Sequence, residues 1–424
     1  MNSRERVLAV LNHETPDKIP LDLGATTVTG INASTLYRLR KALNLPEKPI
    51  LVQNVNSMIG VVEEDVRQAL GVDVVGMLNP ADMKRGVTNI TQPFTMTDNT
   101  PVLFPDNIAY EKRDDGSVVL YPQGDRQAQP SWLMPEGGFF FDVINRSPPV
   151  DEDNLTPVED YEGTFLELNE NDARYLEEHS QKLYNSNDLA VIGVLGGGGL
   201  GDILQTPGPN LKEPKGIRHP DDFIMAHLMY PDYIKTVFRM QTDAMLKNFK
   251  IYHEAVGDRI QIISFSGTDL GTQNGPFISL EMFRELYKPF FTEMNDWIHN
   301  NTKWKTFFHS CGSVVDFMGD LIEMGVDILN PIQLSAKGMD AKQLKEKYGE
   351  KLVFWGGGID TQKTLPFGTV QEVEAQVKER LAILGEGGGY CFTTIHNIVA
   401  KVPAENVIAM YRAFGEFTGR DLKL

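Results

Sequence analysis

The residues of this chain best suited to chemistry are its two cysteines and one nearby histidine. Cys311 lies two positions after His309, and Cys391 follows the glycine run 387–389. Imidazole and thiolate groups are common zinc ligands, and a zinc ion held by three protein ligands keeps its fourth position for water or substrate. His309, Cys311 and Cys391 therefore predict a catalytic zinc site with one open position.

The two cysteines could also have roles that involve no metal. A free cysteine is often a small buried core residue that binds nothing. A disulfide is disfavoured, because residues 1–15 lack the pattern of an export signal and the chain is long and poor in cysteine. We therefore expect a cytoplasmic protein with reduced thiols.

The bulk composition argues against two classes of partner. The chain has 424 residues, with 58 acidic and 40 basic side chains and a formal net charge of −18. This charge opposes contact with nucleic-acid phosphates, and no apolar run reaches the roughly 18 to 20 residues of a membrane helix. We expect neither nucleic acid nor membrane as a partner. The sequence allows a homodimer without requiring one.

Apolar runs that end at glycine or a polar residue alternate with segments of helical periodicity. The predicted strands are 19–24, 72–77, 190–196, 260–266, 306–309, 328–331, 352–356 and 389–393. The predicted helices include 32–42, 231–255, 280–300, 314–324, 340–347, 369–384 and 404–414. Eight such units indicate an α/β fold in which residues 1–424 form one (β/α)8 TIM-type barrel.

One region, at about residues 87–160, interrupts this alternation. It is rich in Pro, Asp, Gly and Thr, and Asp115-Gly116 before the β-like run 118–121 is a hairpin signal. We interpret the region as an insertion that forms a small β-rich lid or subdomain. A functional lid and an inert decoration are both compatible with the sequence.

Polar residues follow several of the predicted strands. Because active residues of TIM barrels lie at the carboxyl ends of the strands, these side chains are expected to face one mouth. They could also be strand-end hydrogen-bonding groups that only close loops. The residues are Asp22, Asp269, Gln273, Asn330, Gln333, Asp360, His396 and Asn397.

Several segments resemble the uroporphyrinogen decarboxylase superfamily over nearly the whole chain outside the insertion. They are residues 4–8 (RERVL), 16–20 (PDKIP), 268–276 (TDLGTQNGP) with Phe283-Arg284 and Pro289, 309–312 (HSCG) and 355–360 (WGGGID). The His-x-Cys pair with a late cysteine is similar to the branch of zinc-dependent, corrinoid-linked methyltransferases. This resemblance implies His309, Cys311 and Cys391 as the metal ligands.

The sequence departs from the decarboxylase itself soon after the first strand. The decarboxylase has an Arg-Gln-Ala-Gly-Arg pattern there, whereas residues 22–27 read DLGATT. Without these arginines a polycarboxylated tetrapyrrole has no evident charge partner. A metal-free decarboxylase or lyase and a non-catalytic binding relative remain as alternatives.

The resemblance implies methyl transfer between a small methylated donor, either an O-methyl ether or a methylamine-like compound, and a corrinoid. The chain offers no cobalamin-binding domain, so the corrinoid is expected on a partner protein. An alternative is transfer from a methylated corrinoid to a thiol of the coenzyme M type. The length of the chain and the element 136–142 (EGGFFFD) favour the donor-demethylating, O-demethylase type.

In that type of reaction zinc polarises the leaving heteroatom. Asp269, Asp360 or His396 is expected to orient the donor or assist proton transfer. The remaining residues of the mouth are expected to bind substrate: Asp22, Gln273, Asn330, Gln333 and Asn397.

Overall fold

A parallel sheet of seven strands is the centre of the molecule. The computed structural model describes residues 1–77, 89–165 and 167–424. Its strands, numbered β1 to β15 in chain order, are Ile50–Asn54, Ile59–Gly60, Val74–Met77, Ile90–Thr95, Pro101–Pro105, Tyr110–Lys112, Val118–Leu120, Trp132–Met134, Asp142–Val143, Ala190–Val194, Ile262–Gly267, Lys305–His309, Ile328–Asn330, Val353–Trp355 and Tyr390–Cys391. The central sheet has the order β15-β14-β13-β12-β11-β10-β3, with every pair parallel.

Residues 20–22 occupy the eighth position and close the sheet. Leu21 forms a parallel bridge with Phe392, and the N–H of Phe392 donates to the carbonyl of Pro20 at 2.9 Å. On the other side, the N–H of Asp73 donates to the carbonyl of Leu21 at 2.8 Å. The predicted TIM-type barrel is therefore confirmed, although its first strand is a single bridge rather than the predicted 19–24.

Helices surround the sheet. The α-helices are Ser3–Leu11, Ala33–Ala42, Glu64–Leu70, Pro157–Asp160, Glu170–Ser186, Pro220–Met229, Pro231–Val256, Leu280–Met282, Lys288–Asn301, Met318–Glu323, Ala341–Tyr348, Thr364–Phe367, Val370–Leu384 and Ala404–Thr418. A π-helical turn spans Phe283–Tyr287, and 3-10 turns span Pro122–Gly124, Glu152–Asn154, Gly257–Arg259 and Val315–Phe317.

The helix Val370–Leu384 illustrates how the sequence produces these elements. Thr369 caps it, because its side chain accepts the N–H of Glu372 while the Glu372 side chain accepts the N–H of Thr369. Val373, Val377, Leu381 and Leu384 recur at helical spacing and are buried. The apolar face therefore packs onto the sheet.

Alternation along the strands separates two apolar cores. One side of the strands, with residues such as Phe308, Leu329 and Phe354, packs with the surrounding helices. The other side fills the barrel interior, which is lined by Val74, Ile192, Ile262, Phe307, Ile328, Val353, Trp355 and Cys391 together with Val7, Val10 and Leu11 of the first helix.

The β-rich part of the chain forms two additional four-stranded sheets. One has the order β2-β1-β5-β4 and the other β6-β7-β8-β9. The predicted hairpin is confirmed, because β6 and β7 pair antiparallel and Gly116 between them has φ +81°. The first of these sheets also takes β1 and β2 from before β3, outside the predicted range 87–160. Residues 87 and 88 of that range lie outside the described residues.

The length and apolar character of the helices show whether any of them could span a membrane. Among the helices of the described residues, none combines the length and apolar character required to cross a bilayer.

Candidate metal and active site

Three potential metal ligands meet at the carboxyl ends of the barrel strands. His309 is the last residue of β12, Cys311 follows it, and His396 lies beyond β15. One ligand atom from each lies within 4.8 Å of the other two. The His309 Nε2 and Cys311 Sγ atoms are 3.3 Å apart, and the two imidazole rings lie 5.4 Å apart in a T-shaped arrangement.

Cys391 does not join this group, contrary to the ligand set expected from the sequence. Its side chain is fully buried among the apolar residues of the barrel interior, and burial raises the pKa of its thiol. This placement corresponds to the alternative in which a cysteine is a small core residue. Within the described residues, His396 takes the place that the sequence assigned to Cys391.

Asn330 fixes the proton arrangement of His309. The Asn330 Nδ2 group donates to the carbonyl of Trp355 at 2.8 Å, so its Oδ1 atom faces the His309 Nδ1 atom at 2.7 Å as an acceptor. The Nδ1 atom of His309 must then carry the proton. Its Nε2 lone pair is left free toward Cys311, as metal binding requires.

His396 is held in a similar way by its neighbour. Its Nδ1 atom contacts the Asn397 Oδ1 atom. Burial, and next the charge of His309, lower the pKa of His396 to about 4. The imidazole is therefore neutral at physiological pH and can offer a lone pair to a metal.

Cys311 lies in a negatively charged environment. Its backbone N–H donates to Asp269 Oδ1 at 2.8 Å. Burial, and next the charges of Asp269 and Asp202, raise the pKa of its thiol well above the usual value. A divalent cation would reverse this shift, because coordination favours the thiolate.

Asp269 and Asp202 form a pair of carboxylates beside the three ligands. Asp269 Oδ1 lies 4.0 Å from His309 Nε2. Asp202, which the sequence analysis did not single out, accepts the backbone N–H groups of Leu204 and Gln205 at 3.0 Å. Burial, and next the charge of Asp269, raise the pKa of Asp202 to about 7. At neutral pH this carboxyl group can both hold and release a proton.

A chain of side-chain amides joins four loops at the mouth. Gln333 Oε1 accepts the N–H of Gly312 at 2.7 Å, and Gln333 Nε2 donates to Gln273 Oε1 at 3.1 Å. Gln273 Nε2 in turn donates to Gln362 Oε1 at 2.6 Å. These contacts hold the Cys311 loop, and the predicted substrate contacts of Gln273 and Gln333 stay predictions.

Gly312 permits the close approach of two loops next to Cys311. It has φ +89°, and a Cβ atom there would lie 2.2 Å from the carbonyl oxygen of Gly271. A side chain at this position is excluded by both backbone conformation and space. The glycine after the cysteine is thus needed to bring the loops after β11 and β12 together.

Two other residues predicted for the mouth, Asp22 and Asp360, form hydrogen bonds within the protein. Asp22 is buried and accepts the indole N–H of Trp355 at 2.9 Å and the N–H of Ala25 at 3.1 Å, and burial raises its pKa to about 6. Asp360 accepts the N–H groups of Gln362 and Lys363 at 2.7 and 3.1 Å. The structure brings neither into the His309 group, and their predicted roles stay predictions.

The donor set suits a zinc ion. Two neutral imidazoles and one thiol that can ionise are ligands zinc prefers, and three protein ligands are the number found in catalytic sites. The hydrogen bonds that the two imidazoles form to the side-chain oxygens of Asn330 and Asn397 are outer contacts of the kind that orient metal-binding histidines. The residues present therefore fit the metal that the sequence predicted.

Comparisons with known proteins agree with this architecture. Residues 210–417 match the family described as Uroporphyrinogen decarboxylase (URO-D). A solved structure described as a methyltransferase from Methanosarcina mazei has a TM-score of 0.51 and 17% sequence identity, covering 98% of this chain and 99% of that one. At this identity the likeness concerns the fold alone. Proteins of curated function give no match.

The matched range contains the barrel strands β11 to β15 and all three members of the ligand group. Residues 210–417 are therefore similar to the uroporphyrinogen decarboxylase family, and the TIM-type barrel of the described residues agrees with that similarity.

Proposed function

We propose that this protein is a zinc-dependent methyltransferase that moves a methyl group from a small methylated donor to the corrinoid of a partner protein. The observation that carries the proposal is the group of His309, Cys311 and His396, whose ligand atoms lie within 4.8 Å of one another at the mouth of the barrel. The methyltransferase structure with the same fold supports it.

His309, Cys311 and His396 would hold the metal. Bound there, zinc would supply Lewis-acid polarisation of the donor heteroatom. Asn330 accepts the Nδ1 proton of His309, which would leave the Nε2 lone pair free for the metal, and Asp269 accepts the backbone N–H of Cys311. These contacts are already formed in the structure, as expected of a preorganised site.

The bond changes define what the protein must provide. The bond between the heteroatom and the methyl carbon breaks, and its electron pair stays on the heteroatom. The Co(I) corrinoid of the partner protein, as the methyl acceptor, would supply the electron pair of the new cobalt–carbon bond. The leaving heteroatom then takes a proton, and Asp202, with a pKa of about 7, is placed beside Asp269 to deliver it.

Zinc content tests the ligand set. We expect about one zinc per chain in the wild-type protein, and its loss in His309→Ala, Cys311→Ser and His396→Ala. Cys391→Ser is the control and should retain zinc, because that thiol lies in the apolar interior. Loss of zinc from Cys391→Ser with retention in His396→Ala would overturn this set.

Methyl transfer is then measured by the absorbance of a Co(I) corrinoid protein as it becomes methylated. O-methyl ethers and methylamines are the donors to compare. A protein that binds no zinc, even after zinc is added, would favour the metal-free decarboxylase or lyase. Transfer from a methylated corrinoid to a coenzyme M-type thiol, without reaction of any ether or amine, would establish the thiol-methylating alternative.

A further inference from the structure

A small cavity opens beside the proposed metal site. Asp269, whose Oδ1 atom is 4.0 Å from His309 Nε2, forms part of its wall. The cavity measures about 20 Å³, which is room for a water molecule or a comparably small group rather than a ring. Its position allows a substituent of the methyl donor to enter while the methyl-bearing heteroatom stays near the ligands.

Most of the cavity wall is apolar. Phe223 and Phe277 contribute aromatic surface, while Ile224 and Ile278 contribute aliphatic surface. Among the described residues that line it, none is a lysine or arginine. An anionic substituent would therefore lose its hydration without gaining a positive partner from these lining residues.

The donor groups of the polar side chains in the wall are already used within the protein. His227 Nδ1 lies 2.8 Å from the carbonyl of Phe223 and must donate to it. His227 Nε2 then accepts the hydroxyl proton of Tyr287, at 2.6 Å. Burial lowers the pKa of His227, in agreement with a neutral ring.

Tyr287 consequently presents lone pairs, not a proton, to any other partner. Its hydroxyl oxygen lies next to Gly201, where an added Cβ atom would be only 2.7 Å from it. The carboxylate of Asp269 also accepts. Among the polar side chains of the described wall, Tyr287 and Asp269 therefore have only acceptor atoms to offer a ligand.

We propose that this cavity receives a short arm of the methyl donor that ends in a hydrogen-bond donor, an ammonium or a hydroxyl group, and that it rejects anionic arms. The inference rests on the proposed function, because it assigns the substrate class of that site. According to this inference, the protein accepts small methyl ethers and methylamines that carry an amino or hydroxyl group. It rejects methoxy acids and thiols that carry a sulfonate.

Three compounds with the same methoxy group provide the test: 2-methoxyethylamine, 2-methoxyethanol and methoxyacetate. Any contact between the shared ether oxygen and the metal is common to all three, so differences report on the arm. Their affinities for the zinc-loaded full-length protein are measured by calorimetry or ligand-observed NMR. We expect the amine and the alcohol to bind at least about tenfold tighter than the acid, because methoxyacetate would face Asp269.

Three variants test whether the cavity is responsible. Ile224→Lys places a cation at the wall and should remove or reverse the preference. Ile224→Gln adds a long side chain without charge, and Met225→Lys adds the same charge at the next position, where the side chain is exposed and does not line the cavity. Both controls should keep the wild-type order.

Equal or tighter binding of methoxyacetate to the wild-type protein would overturn the inference. Absence of binding by all three compounds, or the same change in Met225→Lys as in Ile224→Lys, would also overturn it. Zinc content and methyl transfer to Co(I) are measured on the same samples. Methyl transfer without this selectivity would refute only the inferred substrate class. Absence of both zinc and methyl transfer would refute the proposed function itself.

Discussion

Replacing Asn330 by leucine should weaken zinc binding although residue 330 touches no metal. The change removes two hydrogen bonds, to His309 Nδ1 at 2.7 Å and to the carbonyl of Trp355 at 2.8 Å. Loss of such an outer contact to a metal-binding histidine typically costs 10- to 100-fold in metal affinity, or about 1.4 to 2.7 kcal/mol. The fixed Nε2 lone pair is lost because the ring can then rotate or change its protonated nitrogen.

The same substitution should lower the free energy of unfolding. Asn330 is buried, so each abandoned partner remains without a hydrogen bond at a cost of about 1 to 3 kcal/mol. Two such partners predict a loss of about 2 to 6 kcal/mol. The two effects must be measured separately, zinc affinity by competition with a chromophoric chelator and stability by urea titration of the metal-free protein.

Asn406→Leu is a matched control. Asn406 is also buried, and its Nδ2 group donates to the carbonyls of Leu365 and Gly368 at 3.0 and 2.9 Å. This variant should lose comparable stability while its zinc affinity stays within about twofold of wild type. If Asn330→Leu remains folded and binds zinc as tightly as wild type, the role given to Asn330 is refuted.

Three further tests concern the thiol of Cys311, Gly312 beside it, and the buried ion pairs of Asp73, which directly precedes β3. Zinc affinity, measured by chelator competition, should rise about tenfold per pH unit from pH 6 to 8. The pKa of the Cys311 thiol is raised, so the thiol carries a proton that zinc must displace, whereas His396, with a pKa of about 4, is already neutral in this range. A zinc affinity that does not change with pH would contradict the assignment of Cys311 as a ligand. Gly312→Ala should lower the free energy of unfolding by at least about 2 kcal/mol in urea titration, whereas Gly319→Ala, where an added Cβ meets nothing within 4 Å, should change it by less than about 1 kcal/mol. Asp73→Asn should lower the free energy of unfolding by about 3 to 5 kcal/mol in the same assay, because Asp73 forms ion pairs with Arg6 and Arg420 at 2.6 and 2.7 Å. The zinc content per folded chain should stay unchanged. A loss of zinc in this variant would show that the effect of the substitution is not local.

The barrel could be predicted because each strand is encoded locally. A run such as Val353–Trp355, apolar and followed by glycines, predicts a strand of a parallel sheet, whose two faces are both buried. The exception is the first unit, where residue 21 forms only one bridge. Pro20 has no N–H to donate, and the N–H of Leu21 goes to the side chain of Asp73, so a regular ladder cannot continue. The additional sheets escaped prediction in part, because β1 pairs with β5, which follows β3 in the chain, and β2 pairs with β1.

The ligand set shows where sequence reasoning was limited. Residue type favoured Cys391, but type does not reveal how far along a strand a side chain lies. Cys391 is inside the barrel, level with Trp355, whereas His396 follows the strand end, as Cys311 does. A signal was available: polar residues past the ends of strands are the ones that face the mouth, and this rule selected His396 as a catalytic candidate. Asp202 also follows a strand, but the glycine-rich residues 196–201 separate it from the end of β10.

The exchange of Cys391 for His396 also bears on the direction of methyl transfer. A zinc ion held by two neutral imidazoles and one thiolate would carry one net positive charge, while two thiolates would leave the complex neutral. Greater positive charge strengthens polarisation of a leaving heteroatom. The same positive charge lowers the basicity of a zinc-bound thiolate and so makes that thiolate a weaker nucleophile. Under the proposed function, the charge of this ligand set would favour removal of a methyl group from a donor over methylation of a thiol. The described residues that line the neighbouring cavity include no lysine or arginine to receive the anionic group of a coenzyme M-type thiol.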